Sequence, residues 1–448
     1  MNILLITADD LGLQLGVYGD TQVPTPEMDL LAQEGVRFQN AYITHASCSP
    51  SRSSILTGMY PHENGQIGLS HVGYAMKEGV PLLPNLLREM GYYTGVMGKV
   101  HVEPFARFEW DDYIGKSVNT RDVGAMRDRA VRFMEESGDQ PFFLMVNYSD
   151  PHRPMPDQVM GVPEKPVGPQ EIEPFPFLAG ADSPDVRKEV AGFYNSVARL
   201  DIGIGMILSA LKDVGKAENT LVILLGDHGP PFTRAKTTCY EAGIRVPLLI
   251  RFPDGAFRGL VKEELVSSID LAPTLLELAG APVPGQMTGT SLMPLLTEPE
   301  TVSWRQVLGA EYTGHQGAEG YYPRRSVRKG RYKLIFTLLS DQPNPITAVD
   351  GCSAWAASRS PRYDGTLTRE VMDQHHQPNP FELYDLEKDP YEFINLAGLP
   401  EYAETLEEMK SALRQWQKDT SDPLLDPEAV RSMNERHRNW ERQRVKIR

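Results

Sequence analysis

Apolar residues run unbroken from Ile3 to Ala8 and stop abruptly at Asp9-Asp10. A short apolar run without polar alternation is the pattern of a strand buried on both faces, as at the centre of a parallel sheet. In open α/β sheets ligands bind beyond the carboxyl ends of such strands, so both carboxylates are candidate ligand contacts. A second run, Leu221 to Leu225, ends the same way, in Gly226-Asp227-His228-Gly229. Between the two runs helices and strands alternate. Thr25-Pro26-Glu27 opens a helix that stops at Gly35, and Val36 to Ile43 reads as a strand. Leu82 to Met90 predicts a helix closed by Gly91, and Tyr93 to Met97 a strand leading into Gly98-Lys99-Val100-His101. A helix near Val123 to Glu136, a strand Pro141 to Tyr148 and a loop through Asp150-Pro151-His152-Arg153 repeat the unit. Met155 to Ser183, rich in proline and acid, reads as an irregular excursion and a candidate wall of a substrate site. A long helix from Pro184 to Val214, the strand Val246 to Phe252 and the helix Leu271 to Ala279 complete an alternating β/α series.

After about residue 300 the pattern changes. Val307 to Tyr312, Ser326 to Lys329, Tyr332 to Thr337 and Glu382 to Asp385 read as short strands with polar alternation, followed by a helix at Glu401 to Lys418. The expectation is a catalytic α/β domain over 1–300 and a smaller C-terminal antiparallel sheet with a covering helix over 301–448. The last stretch, Arg431 to Arg448, carries Arg436, Arg438, Arg442, Arg444, Lys446 and Arg448 and reads as a solvated tail or an arm onto a neighbouring subunit in a homo-oligomer.

Composition narrows the classes. The 448 residues are 23% charged and 41% hydrophobic, as in an ordinary globular protein. A net charge of −15 argues against a generic nucleic-acid surface, although one cleft can still focus positive charge. Three cysteines, Cys48, Cys239 and Cys352, make no disulfide framework; if Cys48 is modified, the other two are left to pair. The first residues turn acidic too soon for a signal peptide and no stretch approaches a membrane span, so the chain as given reads as cytoplasmic and without a membrane partner.

The candidate chemistry centres on His45 to Gly58. Cys48 stands in a turn with Pro50 at the expected first helical position, where free N–H groups and the positive end of a helix dipole would meet an anion. By itself such a cysteine is a small buried residue. Asp9-Asp10 and Asp227-His228, each ending an apolar strand, suit a hard divalent cation; the alternative is that they cap the helices that follow. Lys99, His101, His152 and Lys236 also follow strands. Singly they are solvated lysines and satisfied histidines. Together they can bring positive charge and proton transfer to the same rim.

Cys48-x-Pro50-x-Arg52 followed by Leu56-Thr57-Gly58 resembles the sulfatase signature, whose cysteine is oxidised to formylglycine. The resemblance extends through Ala8-Asp9-Asp10, Gly98-Lys99-Val100-His101, Asp150-Pro151-His152, Gly226-Asp227-His228-Gly229, Arg245-Val246-Pro247 and Glu382-Leu383-Tyr384-Asp385. It implies an alkaline-phosphatase-like fold: a large mixed, mostly parallel sheet sandwiched by helices. It implies a metal, calcium first and magnesium or manganese as alternatives, held by Asp9, Asp10, Asp227, His228 and the residue made from Cys48. Arg52 would orient that residue, Lys99 and Lys236 would contact sulfate, and Lys236 or His152 would assist the leaving oxygen. His101 would help release the bound sulfate. A formylglycine-generating or anaerobic sulfatase-maturating enzyme is the implied partner, and a sulfated saccharide the implied substrate.

Within the family, His62-x-Asn64-Gly65, Asp150-Pro151-His152-Arg153 and Pro323-x-Arg325-Ser326-Val327 are most similar to the heparan N-sulfatase branch. The chain departs from that branch at Lys236 and in Tyr240-Glu241-Ala242-Gly243, the latter more typical of O-sulfatases, so N- and O-sulfate both stay open. A phosphate or phosphonate ester hydrolase on the same fold, and a catalytically silent binder of sulfated glycans, are the alternatives. In the second part of the chain His315, Arg324 and Arg325 either contact the sugar or brace the small sheet.

Overall fold

The computed structural model describes residues 1–115, 118–315, 320–346 and 353–445. The opening apolar run is strand β1 (Asn2–Asp9). Its side chains divide by parity: Leu4, Ile6 and Ala8 enter one core, Ile3 and Leu5 the other. Both faces of the strand are covered, and that is why its sequence shows no polar alternation. The helices Val123–Glu136 and Pro184–Asp213 fill the first core, and Leu83–Glu89 and Leu271–Leu278 the second.

Strand β1 is joined by β2 (Val36–Tyr42), β3 (Tyr93–Gly98), β4 (Asp112–Gly115), β5 (Phe142–Pro151), β6 (Thr220–Gly226), β7 (Leu248–Arg251) and β8 (Leu260–Ser267). Among the described residues they form an eight-stranded sheet in the order β4-β3-β5-β1-β6-β7-β2-β8. Strand β7 runs against both neighbours and the other ladders are parallel, which gives the mixed, mostly parallel sheet expected from the sequence. The carboxyl ends of β1, β3, β5 and β6 therefore share one rim.

A second, antiparallel sheet has the order β12-β11-β10-β9, with β9 (Val307–Tyr312), β10 (Arg324–Lys329), β11 (Tyr332–Thr337) and β12 (Phe381–Asp385). Met409, Leu413 and Trp416 of the helix Ala403–Asp419 cover one face, and Tyr240, Tyr312, Tyr322 and Tyr384 cluster on the other. Edge strand β9 docks on the chain just ahead of Cys48: Glu311 N–H donates to the Thr44 carbonyl at 2.7 Å and Thr313 N–H to His45 Nε2 at 3.0 Å.

Several elements differ from the sequence reading. The cysteine is not in a turn: after helix α1 (Pro26–Gln33), helix α2 spans Cys48–Thr57, with Ser47 at its N-cap and Pro50 as its third residue. First-turn N–H groups have no intrahelical partner, so a proline there costs no hydrogen bond and does not mark the first residue. Strands β4 and β8 were not expected; they lie at the sheet edges, where polar residues such as Lys262, Glu263 and Glu264 interrupt the apolar pattern. The short helices Ser353–Ser358 and Leu367–His376 were also missed. The basic stretch begins within a helix, Pro427–Val445, that packs back on the chain through buried Met433 and a 2.7 Å bond from Tyr321 Oη to Asn434 Oδ1. Arg436 is exposed on it, whereas Lys446 and Arg448 lie outside the described residues, as does Cys352, the expected partner of buried Cys239.

Candidate active site

Helix α2 is buried along its whole length, and its polar residues are spent on neighbours. Ser51 Oγ donates to the Asp227 carbonyl, Thr44 Oγ1 to Ser54 Oγ at 2.7 Å, and Thr57 Oγ1 to the Ser53 carbonyl at 2.7 Å. Gly58 closes the helix with φ of 65°, and its N–H reaches the Ser54 carbonyl at 2.9 Å. The helix N-terminus thus brings Cys48 to the rim where the parallel strands end.

Four loops meet it there. Asp9 and Asp10 come from the end of β1, Asp10 in left-handed backbone with φ of 71°. Such a conformation costs energy in a non-glycine residue and persists only where its surroundings enforce it. Here Asp10 N–H is held by Asp227 Oδ1 at 2.9 Å. Lys99 follows Gly98, whose φ of 82° and would-be Cβ at 2.2 Å from the Asn147 carbonyl oxygen admit no side chain. Asp227, His228 and Lys236 follow β6, and His152 follows β5.

The geometry is close-knit. Cys48 Sγ lies 3.3 Å from His228 Nε2 and 3.6 Å from both Asp9 Oδ1 and Lys236 Nζ. Lys99 Nζ pairs with Asp9 Oδ2 and Lys236 Nζ with Asp10 Oδ1, each at 2.7 Å. Arg52 is held by Asp227 Oδ2 at 2.8 Å and by the Lys99 carbonyl at 2.8 Å, so it ties two of these loops to α2 beneath the cysteine. His228 Nδ1 donates to the Gly229 carbonyl at 3.0 Å, so Nε2 is the ring nitrogen that faces the carboxylates.

The charges shift one another. Burial alone would raise the Cys48 thiol, but Lys236, Lys99 and His228 hold it well below its ordinary value. Burial pushes Asp227 up to about 6 against the pull of His228 and Arg52. Asp9 stays well below the usual carboxylate range, because Lys99, His152 and Arg52 outweigh its burial. His228 rises to about 9: burial opposes its charge, but Asp227 and Asp10 favour it more. Burial lowers His101, with the neighbouring Cys48 opposing.

The donor set fits a divalent cation. One ligand atom each from Asp9, Cys48, Asp227 and His228 lies within 4.8 Å of the others, and a second such set is Asp9, Asp10, Cys48 and His152. Asp10 Oδ2 is buried with no hydrogen-bond partner, an acceptor that a cation would satisfy.

His315 joins this constellation: it is buried, its Nδ1 is 2.7 Å from Ser47 Oγ, and burial followed by the Lys236 charge keeps it well below its usual value. Arg325 is not brought to it. Its Nε and NH2 bond Asp422 at 2.8 and 2.9 Å, with Glu311 3.3 Å away, all in the interior. Arg324 is likewise buried, 4.8 Å over the Tyr322 ring on the small sheet. Arg325, so paired, fits the bracing alternative, whereas Arg324 Nε and Nη2 are buried without a hydrogen-bond partner. Sequence reasoning missed Ser47 and His71, whose partners His315 and His101 are distant in the chain; neither carries a local signal.

The Sulfatase family profile matches residues 1–281. The chain belongs to the sulfatase family. A second profile, N-sulphoglucosamine sulphohydrolase, C-terminal, matches residues 226–343 of this sulfatase. Human N-sulphoglucosamine sulphohydrolase is 34% identical to it, over 95% of this chain and 91% of the human protein. A structure solved in complex with its substrate D-glucosamine-2-N,6-O-disulfate superposes with a TM-score of 0.69 at 21% identity, covering 94% and 98% of the two chains. The phosphonate monoester hydrolase of Agrobacterium radiobacter superposes as well, with a TM-score of 0.72 at 20% identity over 94% and 96%. The fold is therefore shared across two ester chemistries, and the site must carry the distinction.

Proposed function

We propose that this sulfatase removes sulfate from a sulfated saccharide, using Cys48 converted to formylglycine and a calcium ion held by Asp9, Asp10, Asp227 and His228 beside it. The observation that carries the reading is the clustering of these ligands and of Lys99, Lys236 and Arg52 around Cys48 at the N-terminus of α2. Carboxylate oxygens suit a hard cation, and a flexible oxygen-rich set favours calcium over magnesium. The converted residue would supply a hydrated aldehyde, with one hydroxyl as the nucleophile toward sulfur and a second whose proton a neighbouring base can take.

The chain's own residues do the rest. Lys99 and Lys236 place positive charge where the sulfate oxygens would lie, and the α2 N-terminus adds its dipole. Arg52, anchored by Asp227, holds residue 48 in place. His101 is the proton acceptor beside residue 48, and His152 or Lys236 the donor to the departing oxygen. A cleft of about 510 Å³ opens beside this face, lined by Lys99, His101, Phe105, Tyr113, Asn119 and Arg121 among others, and is the proposed approach for the saccharide.

Cys48 is only 2% exposed and sits within a fully buried helix. A converting enzyme would therefore have to act before the chain has folded, on the segment that becomes α2.

The Tyr240-Glu241 departure does not decide between N- and O-sulfate. Glu241 is bonded to Lys333 at 3.0 Å and Tyr42 at 2.7 Å, and Tyr240 Oη to Glu382 at 2.8 Å, so both join the two sheets and leave the sulfate site alone. With the human relative in view, N-sulfated glucosamine is the first substrate to test. The experiment is desulfation of defined N- and O-sulfated saccharides, with an aryl phosphonate alongside, by protein whose intact mass shows conversion of Cys48. Sulfate release from saccharides supports the proposal; turnover of the phosphonate alone overturns it.

A further inference from the structure

His101 follows Lys99 past the end of β3, with its backbone in the left-handed region at φ of 57°. Its Nε2 lies 2.9 Å from Nδ1 of His71, a residue exposed on the surface. The two rings are inclined by only 9° and their centroids are 5.2 Å apart. That separation exceeds the 2.9 Å contact by little more than two ring radii, so nitrogen faces nitrogen edge to edge and the contact is an in-plane hydrogen bond, not face stacking. The segment that carries His71 is itself pinned to the catalytic helix, since Ser70 N–H donates to Ser49 Oγ at 3.0 Å. The other ring nitrogen of His101, Nδ1, is buried without a hydrogen-bond partner, and Cys48 is near enough to His101 to act on its charge.

We propose that His71 is a positioning residue for His101: its Nδ1 accepts the His101 Nε2–H and thereby fixes the imidazole with its bare Nδ1 toward residue 48. This deepens the reading of His101 as proton acceptor and rests on it. One ring nitrogen of a neutral imidazole donates and the other accepts, so the partner at Nε2 decides whether Nδ1 can take a proton. The bond also survives uptake of that proton, because the imidazolium still carries Nε2–H toward His71. A carboxylate does this for the histidine of a catalytic triad; here the imidazole of His71 at the surface does it, without setting another negative charge beside a site that must admit sulfate.

The test has two arms. In Cys48→Ala protein with nitrogen-15-labelled histidine, NMR should show His101 protonated at Nε2 and bare at Nδ1, with coupling across the bond to His71. His71→Ala in that background should turn His101 into a mixture of tautomers, while His71→Asn, whose Oδ1 can stand where Nδ1 stood, should restore the single form. In the converted enzyme His71→Ala should lower kcat about tenfold or more with little change in KM, and His71→Asn should recover most of the loss. A His101 spectrum indifferent to His71→Ala, or a His101 bare at Nε2, overturns the proposal, as does His71→Asn as slow as His71→Ala. Full activity of His101→Ala would instead remove the proton-acceptor reading, whereas the NMR arm would still decide whether the bond to His71 exists.

Discussion

Ser47 Oγ and His315 Nδ1 lie 2.7 Å apart, although 268 residues separate them in the chain. The residue that caps the catalytic helix is thus held by the loop that follows β9. Ser47 makes no side-chain bond to its own helix, so its hydroxyl serves this link between the two sheets.

Because His315 is buried beside Cys48 and Lys236, it is placed to meet whatever carries the sulfate. His315→Ala is expected to raise KM about tenfold for a sulfated saccharide, roughly 1.4 kcal/mol, and to leave a small aryl sulfate nearly unaffected. Ser47→Ala, acting through α2, should slow both substrates alike. Equal losses for His315→Ala on the two substrates would mean that it supports the helix and does not touch the sugar.

Asp227→Asn keeps the size of the side chain but removes one charge from the cation site. Calcium binding and turnover should both collapse, measured by calorimetric titration and by sulfate release. Chelator-treated parent protein should lose activity and regain it with calcium. Unchanged affinity in the variant would exclude Asp227 as a ligand.

Arg325 pairs with Asp422 and Glu311 in the interior, so its loss strips Asp422 of its guanidinium and leaves Glu311 with only His62, 2.9 Å away. Arg325→Met should cost about 3–5 kcal/mol in denaturant unfolding. Its KM for saccharides should match the parent at temperatures where both are folded. A raised KM with unaltered stability would return Arg325 to the substrate.

The same pair sets a pH dependence. Burial raises Asp422, but Arg325 outweighs it and brings the carboxyl down to about 2, below the ordinary 3.8. A depressed carboxylate contributes stability that is complete above the unfolded value and lost as pH falls through the folded one. Between about pH 4 and pH 2 the fold should therefore lose on the order of 2 kcal/mol from this group. Urea unfolding at stepped pH checks it: Asp422→Asn, less stable at neutral pH, should show a shallower decline across that window. Parallel curves for parent and variant would rule out the linkage.

Much of the catalytic part was legible in the chain because its signals are local. An apolar strand that ends in a ligating pair announces a buried parallel strand and its rim, and β1 with Asp9-Asp10 and β6 with Asp227-His228 do so independently. The residues around Cys48, Lys99 and Asp227 sit within a few positions of such strand ends, so their convergence followed from topology. Edge strands β4 and β8 gave weaker signals, since only one side of an edge is covered and the alternation is diluted. The start of α2 was misplaced because proline is equally at home anywhere in a first turn.

What the amino-acid order alone determined, then, is the mostly parallel sheet, the rim and the set of groups gathered there, since strand burial and strand-end chemistry are written in neighbouring residues. Tertiary structure alone decided which arginines are spent inside. Arg325 looks as free as Arg52 in the sequence, and only the approach of Asp422 and Glu311 shows its charge already paired. It likewise decided that Ser47 meets His315 and that His71 meets His101. A hydrogen bond between side chains distant in sequence depends on how separate segments pack, and no local pattern of hydrophobic and polar positions encodes it.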